Sequence, residues 1–196
     1  MALEHELFIL WLLATEGEVG RYRLARMIGK SEGVARGILS SMKRKGLIKV
    51  TSRVGPTLCR KGSRRLDVLM KQNRLRSVQR SERTFLGLGL ESVVFQAGGG
   101  SRSLGQGIEQ RDAAIKAGAS GAVTFTFDGK ILKYAGVSES VSKRSPATVD
   151  QLERQLRMRK GDVILIAFGD SWWNAARGGF AAIRTLAYRQ LRRSRS

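Results

Sequence analysis

The sequence predicts an α+β protein of two domains, residues 1–80 and 81–196, and three observations carry that expectation. The first is where the charge sits. The chain has 36 Lys and Arg against 16 Asp and Glu, a net +20, and residues 21–80 hold 18 of those bases with only Glu32 and Asp67 against them. The second is spacing: up to Gln72 the apolar residues run first at helical, then at alternating, then again at helical intervals. The third is the change at Phe85, after which β-branched runs and glycines alternate with helical stretches, the mixture of a small α/β sandwich. Hydrophobic residues make up 42%, enough for a packed core.

Composition also excludes. Cys59 is the single cysteine and His5 the single histidine, which rules out an internal disulfide and a Cys-rich zinc module. No Ser-His-Asp, Cys-His or paired-carboxylate arrangement can be read, so no catalytic residue, metal or cofactor is expected, and the chain is not expected to be an enzyme. The longest apolar run, Leu7 to Ala14, falls short of the roughly 20 residues a spanning helix needs. Its flanks carry Glu4, Glu6 and Glu16, opposite to the basic start of a signal peptide. The expectation is a cytoplasmic protein with no membrane partner. Its charge calls for a polyanion, double-stranded DNA first and RNA as the alternative.

Glu4 to Ala14 reads as a helix apolar on all sides, which must be buried on more than one of them. Gly17 and Gly20 break it. Arg21 to Ile28 follows as a short helix with Tyr22, Leu24, Ala25 and Ile28 inward, closed by Gly29. Ser31 stands as N-cap to a helix from about Glu32 to Lys45, whose buried stripe is Ala35, Ile38, Leu39 and Met42. Two helices joined by a short glycine-containing turn are the helix-turn-helix unit. Leu47 to Thr51 then alternates as a strand, Val54-Gly55-Pro56 turns, and Thr57 to Cys59 returns. A hairpin directly after the second helix is a wing. Lys61 to Gln72 resumes helical spacing through Leu66, Val68, Leu69 and Met70.

Roles follow from that arrangement. The first turns of the second helix enter the major groove, and Glu32, Gly33, Arg36, Gly37 and Ser40 face away from its buried stripe. Ser31, as the cap, opens that surface. Arg36 is the candidate for bidentate contact to a guanine edge. Arg21, Arg23, Lys43 and Arg44, with Arg53, Arg60 and Lys61 on or beside the wing, would hold phosphates without reading sequence.

Asn73 to Thr84 reads as a linker or a frayed helix end. Beyond it, Phe85 to Phe95 reads as a strand, Gly98 to Ser103 as a loop and Leu104 to Ala117 as a helix. Val123 to Phe127 alternates as a half-buried strand, Asp128-Gly129 turns, and Ile131 to Ala135 returns. Val149 to Met158 is a helix, Val163 to Phe168 a strand buried on both faces, and Ser171 to Leu191 a long final helix with Trp172, Ala176, Phe180, Ile183 and Ala187 inward. Gly99, Gly100, Ser101 and Arg102, before a helix carrying Arg111 and Asp112, form a candidate ligand cradle. Asp170 beside Trp172-Trp173 is a second candidate. A plain surface loop, a surface ion pair and a helix cap explain the same letters.

Gly20-Arg21-Tyr22-Arg23-Leu24-Ala25, the run Arg111 to Ala122 and Gly161-Asp162-Val163-Ile164 together resemble an archaeal family. Its members pair a winged helix-turn-helix with a C-terminal domain of unknown function, the 4443 type. The resemblance spans nearly the whole chain and implies the same two-domain layout, an archaeal source and a transcriptional role. It implies no activity and no ligand.

The function expected is a DNA-binding transcriptional regulator whose second domain senses a small-molecule effector or mediates assembly. An RNA- or ribosome-associated basic factor and an enzyme with a winged-helix appendage are the alternatives. A homodimer is expected, because Phe8, Ile9, Trp11 and Leu12 cannot all face the small core of residues 24–48. The rival cover for that face is the second domain of the same chain.

Overall fold

The structure is a computed structural model that describes residues 2–51, 55–81, 85–86, 88, 91–101 and 104–193. The chain divides into two compact units, residues 1–72 and 73–196.

The first unit is helical with one hairpin. Its elements are α1 (Ala2–Glu16), α2 (Arg21–Ile28), α3 (Glu32–Arg44), β1 (Ile48–Thr51), β2 (Gly55–Leu58) and α4 (Arg60–Gln72). Gly29 ends α2 in the left-handed conformation at φ 65, the conformation glycine adopts at least steric cost. Leu24, Ala25, Met27 and Ile28 of α2 meet Ala35, Leu39 and Met42 of α3 in the core. Tyr22 does not join them. It is 57% exposed, and Met27 takes the inward place the spacing had given it. Gly55 and Pro56 belong to the return strand, with Val50 opposite Pro56 and Thr51 opposite Gly55, and not to the turn. At φ 85, Gly55 backs onto the loop after α1, where a Cβ would stand 2.8 Å from the Val19 carbonyl oxygen.

Leu7 to Leu13 of α1 are seven consecutive side chains, none more than 6% exposed, and α1 packs on α4 and β2. The apolar surplus is therefore covered within a single chain, and the reason for expecting assembly through this helix falls away. Glu6 on the same helix is 4% exposed and takes Arg65 at 2.6 Å and Lys45 at 3.4 Å. Among the described residues, no helix is long and apolar enough to cross a membrane.

The second unit contains β3 (Leu75–Ser81), β4 (Glu91–Ala97), α5 (Ile108–Lys116), β5 (Gly121–Phe127), β6 (Leu132–Tyr134), α6 (Val141–Arg144), α7 (Pro146–Gln155), β7 (Val163–Gly169) and α8 (Trp172–Arg193). The strands form one antiparallel sheet in the order β3-β4-β7-β5-β6. The expected linker is thus the edge strand of a sheet. Arg74, Arg76 and Arg80 misled because charge on an outer strand protects a free edge as readily as it solvates a linker. The strand expected from Phe85 begins only at Glu91, and Phe85 itself is buried in a bend.

Strand β7 is buried at every position and lies between β4 and β5. Its alternate residues serve two cores. Ile164, Ile166 and Phe168 join Val94, Phe125, Leu152 and Leu156 on one face. On the other face α8 crosses β4 and β7, with α5 alongside it. There Phe95 meets Phe180 edge-on at 5.1 Å, over Gly179, where a Cβ would overlap the Phe95 ring. Helices therefore cover both faces of the sheet.

Candidate functional site

In the first unit Ser31 caps α3, its Oγ accepting from the Val34 amide at 3.5 Å. Burial of Ala35, Leu39 and Met42 then fixes the rotation of the helix and turns Gly33, Arg36, Gly37, Ser40, Lys43 and Arg44 outward. Gly33 and Gly37 leave the helix backbone bare, since a Cβ on either would meet nothing within 4 Å. An open concave surface of about 830 Å³ runs from α2 across α3 to the hairpin. Arg21, Glu32, Arg36, Ser40 and Lys43 line it together, with Tyr22, Val50, Thr51 and Pro56. Five of the residues expected to act together are thus gathered on one wall.

Others sit apart. Arg23 pairs with Glu16 at 2.9 Å, which takes part of its charge out of play. Arg60 and Lys61 are exposed in the first turn of α4, just after the hairpin, and the helix begins one residue earlier than its spacing suggested. Arg53 lies outside the described residues. Lys49, exposed on β1, was missed; on that strand Ile48 is buried and the three residues after it are exposed.

The wall carries Arg21, Arg36 and Lys43 against Glu18 and Glu32. No ion pair forms at Arg36, Lys43, Arg44, Lys49, Arg60 or Lys61 among the described residues. α4 opens on Arg60-Lys61 with no acid in its first turn. Cations at a helix N-terminus oppose the macrodipole, and a bound anion offsets that. The Arg21 guanidinium lies 4.7 Å from the centre of the Tyr22 ring and donates to its hydroxyl at 2.9 Å, so this arginine is held in place at the rim.

The candidate cradle of the second unit does not form one site. Helix α5 starts at Ile108 and not at Leu104, so the glycine loop has no helix N-terminus behind it. Gly99 accepts from Arg74 Nη1 at 3.4 Å, and Ser101 donates its amide to the Gly161 carbonyl at 3.4 Å. Arg102 lies outside the described residues. Asp170 follows β7, near Ser120 Oγ at 3.5 Å, and β4 and β7 run antiparallel from Glu91↔Gly169 to Ala97↔Val163. The loop and Asp170 therefore sit at opposite ends of that ladder, roughly 20 Å apart at about 3.4 Å per residue. Arg111 and Asp112 are an exposed pair at 3.3 Å on α5.

Near the loop, Asp162 is fully buried. Its Oδ2 accepts from Gln96 Nε2 at 2.7 Å and from the Arg159 amide at 2.8 Å. Its Oδ1 lies 3.4 Å from Arg76 Nε, an ion pair without hydrogen-bond geometry. This network ties the edge strand to the turn before β7.

A family model described as a domain of unknown function, DUF4443, matches residues 88–186, half of the chain. The chain belongs to that family. This DUF4443 protein shares its fold with a hypothetical protein from Pyrococcus horikoshii OT3, at 19% identity and a TM-score of 0.71. The match covers 93% of this chain and 91% of the other. No curated protein matches the sequence.

Proposed function

We propose that this DUF4443 protein is a DNA-binding transcriptional regulator, with its first unit acting as a winged helix-turn-helix. The observation that carries the reading is the concave wall on which Arg21, Arg36, Ser40 and Lys43 meet, where Arg36 and Lys43 form no ion pair among the described residues. In this reading α3 enters the major groove. Gly33 and Gly37 let its backbone come close, Arg36 reads a base edge, and Glu32 accepts from a cytosine amine. Arg21, Lys43, Arg44 and Lys49 hold phosphates, and Arg60 and Lys61 add the positive end of α4. The second unit serves as the effector or assembly part.

Fluorescence anisotropy of the full chain on a short random duplex tests this across a salt series. The expected result is affinity falling steeply with salt, each neutralised phosphate adding about 0.9 to the log-log slope. Binding that ignores salt overturns the reading. So does crosslinking from native cells that recovers RNA and no DNA.

A further inference from the structure

We propose that the second unit carries a phosphate-binding face of its own at one end of its sheet, which extends the contact of the protein with duplex DNA. This rests on the reading of the first unit as a DNA binder and adds a surface outside that unit.

The face is built where four segments meet. The start of β3, the loop after β4, the turn between β5 and β6 and the turn before β7 all lie at the same end of the sheet. The Gly98 amide donates to the Arg74 carbonyl at 2.9 Å, and Arg74 Nη1 donates to the Gly99 carbonyl at 3.4 Å. The Gly99 Cα lies 4.0 Å from the position a Cβ on Gly161 would take. Beyond that turn, the Gly161 amide donates to the Phe127 carbonyl at 2.8 Å, and the Lys160 Cβ lies 3.4 Å from where a Gly129 Cβ would stand. Arg74, Arg157, Arg159, Lys160 and Lys130 are therefore gathered along the ends of β3, β4, β7 and β5. Four strands about 4.8 Å apart make that row about 14 Å wide. One DNA strand carries a charge every 3.4 Å or so of axis, which sets about four phosphates against the row.

All five cations are exposed, and none of them forms an ion pair among the described residues. The acids of these segments are engaged elsewhere. Asp162 is fully buried and faces Arg76, and Asp128 is held by Lys133 and by the amides of its own turn. The opposite end of the same ladder exposes two acids, Glu91 and Asp170.

The turn that carries three of the cations is fixed from inside. Asp162 Oδ2 accepts from the Arg159 amide at 2.8 Å and from Gln96 Nε2 at 2.7 Å, and Gln96 Nε2 also donates to the Arg157 carbonyl at 2.9 Å. A backbone ordered in advance loses less freedom when an anion arrives. Arg74 holds φ 55, the left-handed conformation in which glycine is the usual residue after a helix. An arginine there sets a guanidinium on the face against backbone strain.

The partner follows from the chain. A single residue separates Arg74 from Gln72, the end of α4. A duplex held by the first unit is thus tethered to this face at high effective concentration.

The test is fluorescence anisotropy of the full chain on a random duplex across a salt series. Replacing Arg74, Arg157, Arg159 and Lys160 by glutamine together should lower the log-log slope by roughly 3, at about 0.9 per phosphate. A matched variant with glutamine at Arg80, Arg111, Lys116 and Arg144 removes the same charge away from the face and should keep the wild-type slope. An unchanged slope in the first variant overturns the proposal, and so do equal losses in both variants. A first variant that loses affinity for a structured RNA but not for the duplex overturns DNA as the partner. A slope that survives alanine at Lys43, Arg44, Arg60 and Lys61 yet falls in the first variant overturns the reading of the first unit and supports the face.

Discussion

In residues 1–72, Arg36, Lys43, Arg44, Lys49, Arg60 and Lys61 stand exposed with no ion pair among the described residues, while Arg23, Lys45 and Arg65 are paired. In residues 73–196, Arg76, Arg80, Arg111, Lys133 and Arg144 each lie within 3.5 Å of an acid. Lys116, Lys130, Lys143, Arg154, Arg157 and Lys160 there are exposed with no ion pair among the described residues. The two units therefore differ less in pairing than in surface shape, since Arg21, Arg36 and Lys43 of the first share one concave wall. Cations that share a wall act together on a polyanion.

The strongest way to break that contrast is to remove each set in turn. Replacing Lys43, Arg44, Arg60 and Lys61 by alanine together should lower the salt slope of DNA binding by roughly 3–4, at about 0.9 per phosphate contact. Replacing Arg80, Arg111, Lys133 and Arg144 should leave the slope where it was, as read by the same anisotropy titration. Equal losses from both sets would end the comparison.

Single substitutions sharpen it. Arg36→Ala should cost about 1–3 kcal/mol on the preferred sequence and relax the choice of base, as measured by selection from a randomised duplex pool. Lys43→Ala should instead weaken all sequences alike and reduce the slope by about 0.9. Gly179→Ala tests whether the second unit can be disturbed separately. Its Cβ would overlap the Phe95 ring, an overpacking expected to cost about 1–3 kcal/mol in denaturant unfolding while the salt slope of folded protein holds.

The smallest effect concerns Asp128 in the second unit. Its Oδ1 accepts from the Ile131 and Lys130 amides at 2.9 and 3.0 Å, and its Oδ2 pairs with Lys133 at 2.9 Å. These hold its carboxyl well below the ordinary carboxylate range, the Ile131 amide contributing most. A depressed pKa means the turn is favoured above the usual value near 3.9 and loses that help as pH falls from there through the lower folded midpoint. An NMR titration should place the Asp128 midpoint below those of the other aspartates on the surface.

Much of the first unit was legible because its signals are local. Gly29, Ser31 and the Ala35-Leu39-Met42 stripe specify α2 and α3 within a few residues, and they also fix which way Arg36 points. The hairpin was legible in kind but not in register, since Pro56 reads as a turn residue and sits in the return strand. The second unit was read less well because pairing partners lie far apart in sequence. β3 looks polar on its own and makes sense only as the edge beside β4. The start of α5 slipped from Leu104 to Ile108, since Gly105 and Gly107 carry no helical periodicity to mark the boundary.

The placement of β7 bears on how the chain acquires its shape during synthesis. The strand at the centre of the sheet is residues 163–169, which emerge from the ribosome after every other strand. Until then β3-β4 and β5-β6 are two hairpins with no shared neighbour, each offering an unsatisfied edge. Isolated hairpins are marginal in water, and bare edges invite pairing with other chains. The N-terminal unit is complete once α4 packs back on α1, by residue 72, and has no such wait. A nascent chain halted before residue 163 should therefore present a folded basic head on a sticky, unfinished tail. Released chains that end before residue 163 should aggregate where the full chain does not.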